Sequence, residues 1–240
     1  MCIRDSSYLG VKDNVEDITF ELKKGQTLGI IGATGSGKST ILQLLMRFYD
    51  ADSGTIRIHG RDIRSYDPKD LRKEYGIVMQ NDFIFQDSVR ENIAFGRPID
   101  DELLDEATQI AQARPFIKSL TDEFDYKLNS KGTNLSGGQR QRIFLSRAFV
   151  NNPKILLLDD SSSALDYETD ARLRKAINTH FADTAKVIVA QRVSSIMHAD
   201  EILVLDQGKI VARGTHDELM QTSEIYSSIS DSQMGGALLE

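Results

Sequence analysis

GATGSGKS (residues 32–39) fits the pattern G-x-x-x-x-G-K-[ST], and it stands where that pattern has a physical meaning. QTLGII (26–31) before it ends in the continuous apolar residues of a buried strand, and STILQLLMRFY (39–49) after it carries apolar residues at helical spacing. Strand, glycine-rich turn and helix in that order form a cradle for phosphate. Glycines let backbone N–H groups turn inward onto phosphate oxygens, and the helix N-terminus adds its positive end. Gly32, Thr34, Gly35, Ser36, Gly37 and Thr40 belong to the cradle. Lys38 reaches the β- and γ-phosphates, and Ser39 ligates Mg²⁺. A glycine-rich turn without a ligand is the plain alternative, and the strand-to-helix context disfavours it.

Further along, ILLLDDSSSA (155–164) runs buried aliphatics into two aspartates. Asp159, at the end of a buried strand, holds Mg²⁺ through water opposite Ser39. The second carboxylate, Asp160, poses the harder question, because the chemistry around it suggests a glutamate.

The rest of the chain frames these two segments. DITFELKKGQTLGII (17–31) alternates, turns at Lys24-Gly25 and becomes apolar, which predicts a hairpin leading into the buried strand. GTIRIHGRDI (54–63) predicts a second hairpin with His59-Gly60 near its turn, and EILVLDQGKIVARG (201–214) a third. YGIVMQ (75–80), KILLLDD (154–160) and AKVIVAQ (185–191) are short apolar runs typical of parallel strands covered on both faces. Between residues 87 and 150 the segments SVRENIAFG, DDELLDEATQIAQARPFIKSL and SGGQRQRIFLSRAFVNN read as helices. The sequence thus predicts an α/β core with a parallel sheet, an antiparallel patch on its N-terminal side and an inserted helical lobe.

The 240 residues suffice for one large domain or two lobes, with 40% hydrophobic and 27% charged residues, as in soluble globular proteins. A formal net charge of −7 with dispersed Lys and Arg argues against nucleic acid as a partner. The basic group Arg140, Arg142 and Arg147 reads as a solvated helix face or a partner contact. The single cysteine, Cys2, allows no internal disulfide. His59, His180, His198 and His216 show no metal-ligand spacing. No apolar run approaches the roughly 18 residues of a membrane span. MCIRDS (1–6) reads as unlike the remainder of the chain, in the manner of non-native sequence, and the Ser/Gly-rich end (227–240) reads as a loose, flexible tail.

LSGGQRQR (135–142) is the most specific stretch of all, because it resembles the signature motif of ATP-binding cassette (ABC) ATPases. The resemblance covers residues 7–226 and implies a P-loop NTPase fold with a RecA-like core (7–86 and 151–226) and a helical lobe (87–150). It implies ATP and Mg²⁺ as cofactors, and two cassettes pairing head to tail around two ATPs. Ser136, Gly137, Gly138 and Gln139 would then contact the γ-phosphate of ATP held by the opposite subunit. Tyr8 is similar to the aromatic that stacks on adenine, and Gln80 to the glutamine that touches Mg²⁺ and the attacking water. SALD (163–166) resembles the loop that crosses to the other subunit, with Asp166 at its end. SALD and DSVRENIAFG are most like the exporter branch, whose ATPase is fused to a membrane domain at the cytoplasmic face of the cell membrane. The strand that this family carries before Tyr8 looks missing or replaced by MCIRDS. YKLNSKGTN (126–134) departs from the stretch that exporters carry before the signature.

Two positions break the family pattern. Asp160 stands where the family has the glutamate that positions the attacking water. Losing a methylene withdraws the carboxylate by roughly 1 Å, and a misplacement of that size costs about 100-fold in rate. Gln191 stands where the family has a histidine; its amide can donate a hydrogen bond but cannot carry a proton or positive charge. The expectation is a subunit of a heterodimeric exporter. Its own site is slow, with Asp160, Gln191 and Gln80 at the catalytic positions, while its intact LSGGQ completes the partner's site. Independent neutral variation at Asp160 and Gln191 is the alternative for the site. A repair or ribosome-associated ABC ATPase, or a regulatory ATP-binding module, is the alternative for the protein.

Overall fold

The computed structural model describes residues 2–6 and 15–236. The chain divides into two compact units, Met1–Arg72 with Ala185–Glu240, and Lys73–Thr184. In chain order the first stretch carries β1 (Cys2–Ser6), β2 (Val15–Thr19), β3 (Thr27–Gly32), α1 (Lys38–Leu45), β4 (Ser53–Thr55), β5 (Arg57–Ile58), β6 (Arg61–Asp62) and α2 (Pro68–Lys73). The middle stretch carries β7 (Tyr75–Val78), α3 (Val89–Ala94), α4 (Asp101–Ile110), α5 (Arg114–Lys118), α6 (Gly137–Phe149), β8 (Ile155–Asp159) and α7 (Tyr167–His180). The chain then returns to the first unit with β9 (Ala185–Val189), β10 (Glu201–Asp206), β11 (Lys209–Gly214), α8 (His216–Thr222) and α9 (Glu224–Gly236).

In the first unit β3 lies between β9 and β10, parallel to both, with Ile30 opposite Val189 and Leu203. A strand covered on both faces needs apolar residues throughout, and Leu28, Ile30 and Ile31 are buried accordingly. β11 closes the edge antiparallel to β10. Ile41, Leu42, Leu44 and Leu45 bury one side of α1; each such side chain contributes about 1.5–3 kcal/mol. Ile31, Val193, Ile196, Val204, Leu219 and Tyr226 form a second apolar cluster, which α8 and α9 help to build. β1, β2 and β4 form a separate antiparallel sheet in the order β2-β1-β4.

In the second unit β7 and β8 run parallel, with Gly76 opposite Leu156. The helices α3 to α6 fall between these strands in the chain, and α6 packs on β7, α3 and α4. That packing draws β7 and β8 into one compact unit with the helices. Parallel strands, the helices between them and the antiparallel sheet make up the expected α/β architecture.

Several expectations need correction. Residues 17–31 do not form a hairpin: β2 pairs with β1, with Ile18 opposite Ile3, while β3 pairs with β9 and β10. The turn at Lys24-Gly25 exists, but it carries the chain from one sheet to another, because each strand's partner lies far away in sequence. Of the two expectations for the strand before Tyr8, missing or replaced by MCIRDS, the first is wrong: Cys2–Ser6 of that segment form β1. The end is not loose through 236: α9 runs to Gly236, with Tyr226 fully buried and Ser230 nearly so. Its apolar residues Tyr226 and Ile229 pack on the cluster that holds Val193. The hairpin over 54–63 is confined to Arg57–Asp62, because Ser53–Thr55 pair with β1 as β4, while that over 201–214 stands as expected. His59 and Gly60 both adopt positive φ at the turn of the first. Among the described residues no helix is long and apolar enough to cross a membrane.

Candidate functional site

In the first unit β3 ends at Gly32 and α1 begins at Lys38, so residues 33–37 must turn the chain within a few positions. Gly35 and Gly37 make this turn at φ 81 and φ 97, in the left-handed region that side chains with a Cβ avoid. A Cβ on Gly35 would meet nothing within 4 Å, so the loop faces open space there. The Ser36 side chain is buried beneath the loop, and the Gly208 N–H donates to Ser36 O at 3.2 Å. Lys38 Nζ donates to Gly32 O at 2.8 Å and Ala33 O at 2.7 Å, which holds the ammonium against the loop. α1 has no acidic residue in its first turn, and its N-cap, Gly37, makes no side-chain cap hydrogen bond. Helices normally place a carboxylate or hydroxyl there to meet the positive end. Here the positive end faces an open loop with a lysine over it, which fits the phosphates of a nucleotide. Ser39 and Thr40 follow on the first turn of α1 and supply hydroxyls of the kind Mg²⁺ takes beside phosphate. Tyr8 lies outside the described residues.

β9 leaves its sheet at the same end as β3, because the two run parallel with Ile30 beside Val189. The Ala190 N–H donates to Ile30 O at 3.0 Å, so Gln191 leaves β9 beside the strand that runs into the phosphate loop.

The second unit positions the remaining predicted residues. Gln80 is exposed in the turn just past β7. Asp159 ends β8 after three buried leucines and is itself 3% exposed. Asp160 takes φ 50, and its carbonyl accepts hydrogen bonds from Ser163 Oγ at 3.0 Å and Ser163 N at 3.3 Å. Aspartate tolerates this left-handed backbone better than longer side chains do. Asp166 caps α7, accepting from Thr169 N at 2.9 Å, and that bond holds its carboxyl below the usual carboxylate range.

The LSGGQ segment opens α6 with a capping box. The Ser136 hydroxyl accepts from Gln139 N at 3.2 Å, and Gln139 Oε1 accepts from Ser136 N at 2.8 Å. The hydroxyl proton stays available for donation to an anion. Ser136 and Gly137 are exposed, and α6 has no acidic residue in its first turn. A Cβ on Gly138 would lie 3.1 Å from Ala164 O, so this glycine lets SALD pack against the helix tip.

The three arginines of α6 differ from their expected solvated role. Arg140 Nη1 donates to Leu135 O at 2.8 Å, and Arg142 Nη1 to Gln112 O at 2.9 Å. Arg147 is only 8% exposed. It donates to Asn92 O at 2.8 Å, Phe83 O at 2.9 Å and Asp82 Oδ1 at 2.9 Å. Burial pushes its pKa down while Asp82 opposes this. It thereby ties the loop after β7 to the helix that carries the signature. Asn92, fully buried, fixes the same loop by bonding Phe85 N at 2.8 Å and Phe85 O at 3.0 Å. Sequence reasoning missed both roles, since an arginine and an asparagine on helices carry no local sign of a distant partner. That loop displays Phe83 and Phe85, 43% and 44% exposed, with Phe95 at 51% beside them. Their ring centroids are 5.2 and 5.3 Å apart.

Residues 15–163 match the family model described as ABC transporter. The chain is 40% identical over 222 residues to the putative multidrug export ATP-binding/permease protein YgaD of Bacillus subtilis (strain 168), covering 91% of this chain and 38% of that protein. It is 42% identical over 216 residues to a putative multidrug export ATP-binding/permease protein of Staphylococcus aureus (strain N315), covering 90% and 37%. The chain thus spans less than two fifths of the length of these curated relatives. The solved structure of a bacterial Atm1-family ABC exporter with ATP bound matches with a TM-score of 0.92 at 34% identity, covering 97% of this chain and 42% of that one.

Proposed function

The chain belongs to the ABC transporter family as an exporter-type ATP-binding domain, and from that premise we propose that it powers an exporter while hydrolysing ATP slowly at its own site. In the first unit Lys38 and the first-turn amides of α1 would hold the phosphates and Ser39 would ligate Mg²⁺; in the second unit Gln80 and Asp159 stand at the positions that the family uses for the same ion. Bound ATP–Mg²⁺ supplies the phosphoanhydride whose cleavage drives the transport cycle. Gln191 donates its amide to the terminal phosphate, and Asp160 reaches toward the attacking water from too short a side chain. The exposed, capped tip at Ser136 to Gly138 serves the ATP of a second cassette. That second cassette differs from this one and carries the glutamate and histidine that this chain lacks. The word permease in the relatives' names supports a membrane domain as the further partner, and the resemblance to exporters supports the cytoplasmic face of the membrane as the location. Those names extend the proposal to multidrug export. The aromatic patch of Phe83, Phe85 and Phe95 suits burial under that membrane domain.

The observation that carries the proposal is the pairing, in one chain, of an unaltered phosphate loop with Asp160 and Gln191 at the hydrolytic positions. ATP binding and hydrolysis of this chain, compared with Asp160→Glu/Gln191→His, test it. Near-equal binding with a large gain of hydrolysis in the double variant supports the proposal; fast turnover by the unmodified chain refutes it. The backbone at Asp160 favours one second reading, in which aspartate is retained for φ 50 and the change is catalytically neutral. On that reading Asp160→Glu lowers stability and leaves the rate unchanged.

A further inference from the structure

α9 does more than close an apolar cluster. Near its end Gln233 uses both edges of its side-chain amide on one short stretch of backbone. Nε2 donates to Gln191 O at 2.7 Å, and Oε1 accepts from Val193 N–H at 2.8 Å. A primary amide offers a donor and an acceptor side by side, which a carboxylate or an ammonium cannot. Beneath this pair, Val193, Ile196 and Tyr226 share one apolar cluster, with Ile229 of α9 packed against it. The stretch is anchored at its start as well, by Ala190 N donating to Ile30 O at 3.0 Å. Residues 190–193 are therefore clamped between the strand of the phosphate loop and the last helix of the chain.

We propose that Gln233 is a positioning residue for Gln191. α9 fixes the carbonyl of Gln191, and so the direction in which its side chain leaves the backbone toward the terminal phosphate. Docking of α9 then sets how strongly the site prefers a nucleoside triphosphate over a diphosphate. The inference rests on the reading of Gln191 as the γ-phosphate contact. If Gln233 only staples α9 to the unit, its loss weakens both nucleotides alike or lowers stability alone.

Binding of Mg²⁺–ADP and of Mg²⁺–β,γ-imido-ATP to the full chain separates these roles. Four proteins are compared: the unmodified chain, Gln233→Ala, Gln233→Glu and Gln191→Ala, each with a thermal melt. Gln233→Glu keeps an acceptor for Val193 N–H but sets a carboxylate against Gln191 O. Both Gln233 variants are expected to lower the preference for imido-ATP over ADP by about 2- to 10-fold, the range of a lost hydrogen bond, with ADP affinity unchanged. An unchanged preference in both, while Gln191→Ala loses it, overturns the positioning role and leaves the functional reading standing. An unchanged preference in Gln191→Ala overturns that reading, and the positioning role falls with it.

Discussion

The phosphate loop holds the Lys38 ammonium against its own carbonyls, Gly32 O and Ala33 O. Lys38→Ala should therefore weaken Mg²⁺–ATP by at least about 10-fold in titration calorimetry and leave the fold intact, since the loop's turn depends on Gly35 and Gly37. Asp160 is the opposite case, because its side chain is judged by reach and its backbone by φ 50. Asp160→Glu is expected to cost up to about 1 kcal/mol of stability in urea unfolding, from the left-handed backbone alone. These residue-scale features were legible to different degrees. The strand-turn-helix at 26–45 and the strand ending in Asp159 were read from local pattern, and the helix start at LSGGQ from its resemblance to a family motif, because each of these local structures is set by neighbours in sequence. The positive φ at Asp160 was not legible, since no pattern of residue types around it specifies that backbone.

At the scale of elements, single residues hold whole segments in register. Arg147 on α6 bonds Asp82, Phe83 and Asn92, so one side chain organises the loop after β7. Arg147→Ala should destabilise the chain by roughly 3 kcal/mol in chemical unfolding, because it strips the Asn92 and Phe83 carbonyls of a donor and the Asp82 carboxylate of its counter-ion. Arg147→Lys should recover little of this, having one point charge for three partners. α9 offers a pH test. Burial pushes the Tyr226 hydroxyl up to about 12, and that hydroxyl lies 2.8 Å from His216 Nδ1. An unfolded tyrosine ionises near pH ~10. The folded form keeps its proton longer, so this contribution is complete below about pH 10 and is lost as pH rises toward about 12. Urea midpoints should fall across that window, and less so in Tyr226→Phe. Helices with strong apolar periodicity, such as α1 and α6, were visible in the sequence. α9 was not, because its serines mask the few apolar residues that dock it. The pairing of β2 with β1 was hidden too, since alternation reports that a strand has a buried face and not which strand lies beside it.

For the whole molecule, the family and the α/β fold followed from three short motifs, while everything that depends on another chain had to be inferred. A helix tip with Ser136 and Gly137 exposed and no acidic residue in the first turn of α6 is suited to an anion. If that anion belongs to a second cassette, Ser136→Ala should leave ATP binding by this chain unchanged while lowering hydrolysis by the assembled transporter. Nucleotide titration of the isolated chain and ATPase assays of the complex check the two halves of that statement. The central claim is that this pocket grips ATP yet is poorly equipped to cleave it, and turnover measured beside affinity tests it most directly. The account predicts that Asp160→Glu/Gln191→His raises the hydrolysis rate by about 100-fold, the scale set by restoring the carboxylate's reach, at nearly constant ATP affinity when dimerisation is allowed. Rapid hydrolysis by the unmodified chain, with no gain in the double variant, would contradict it.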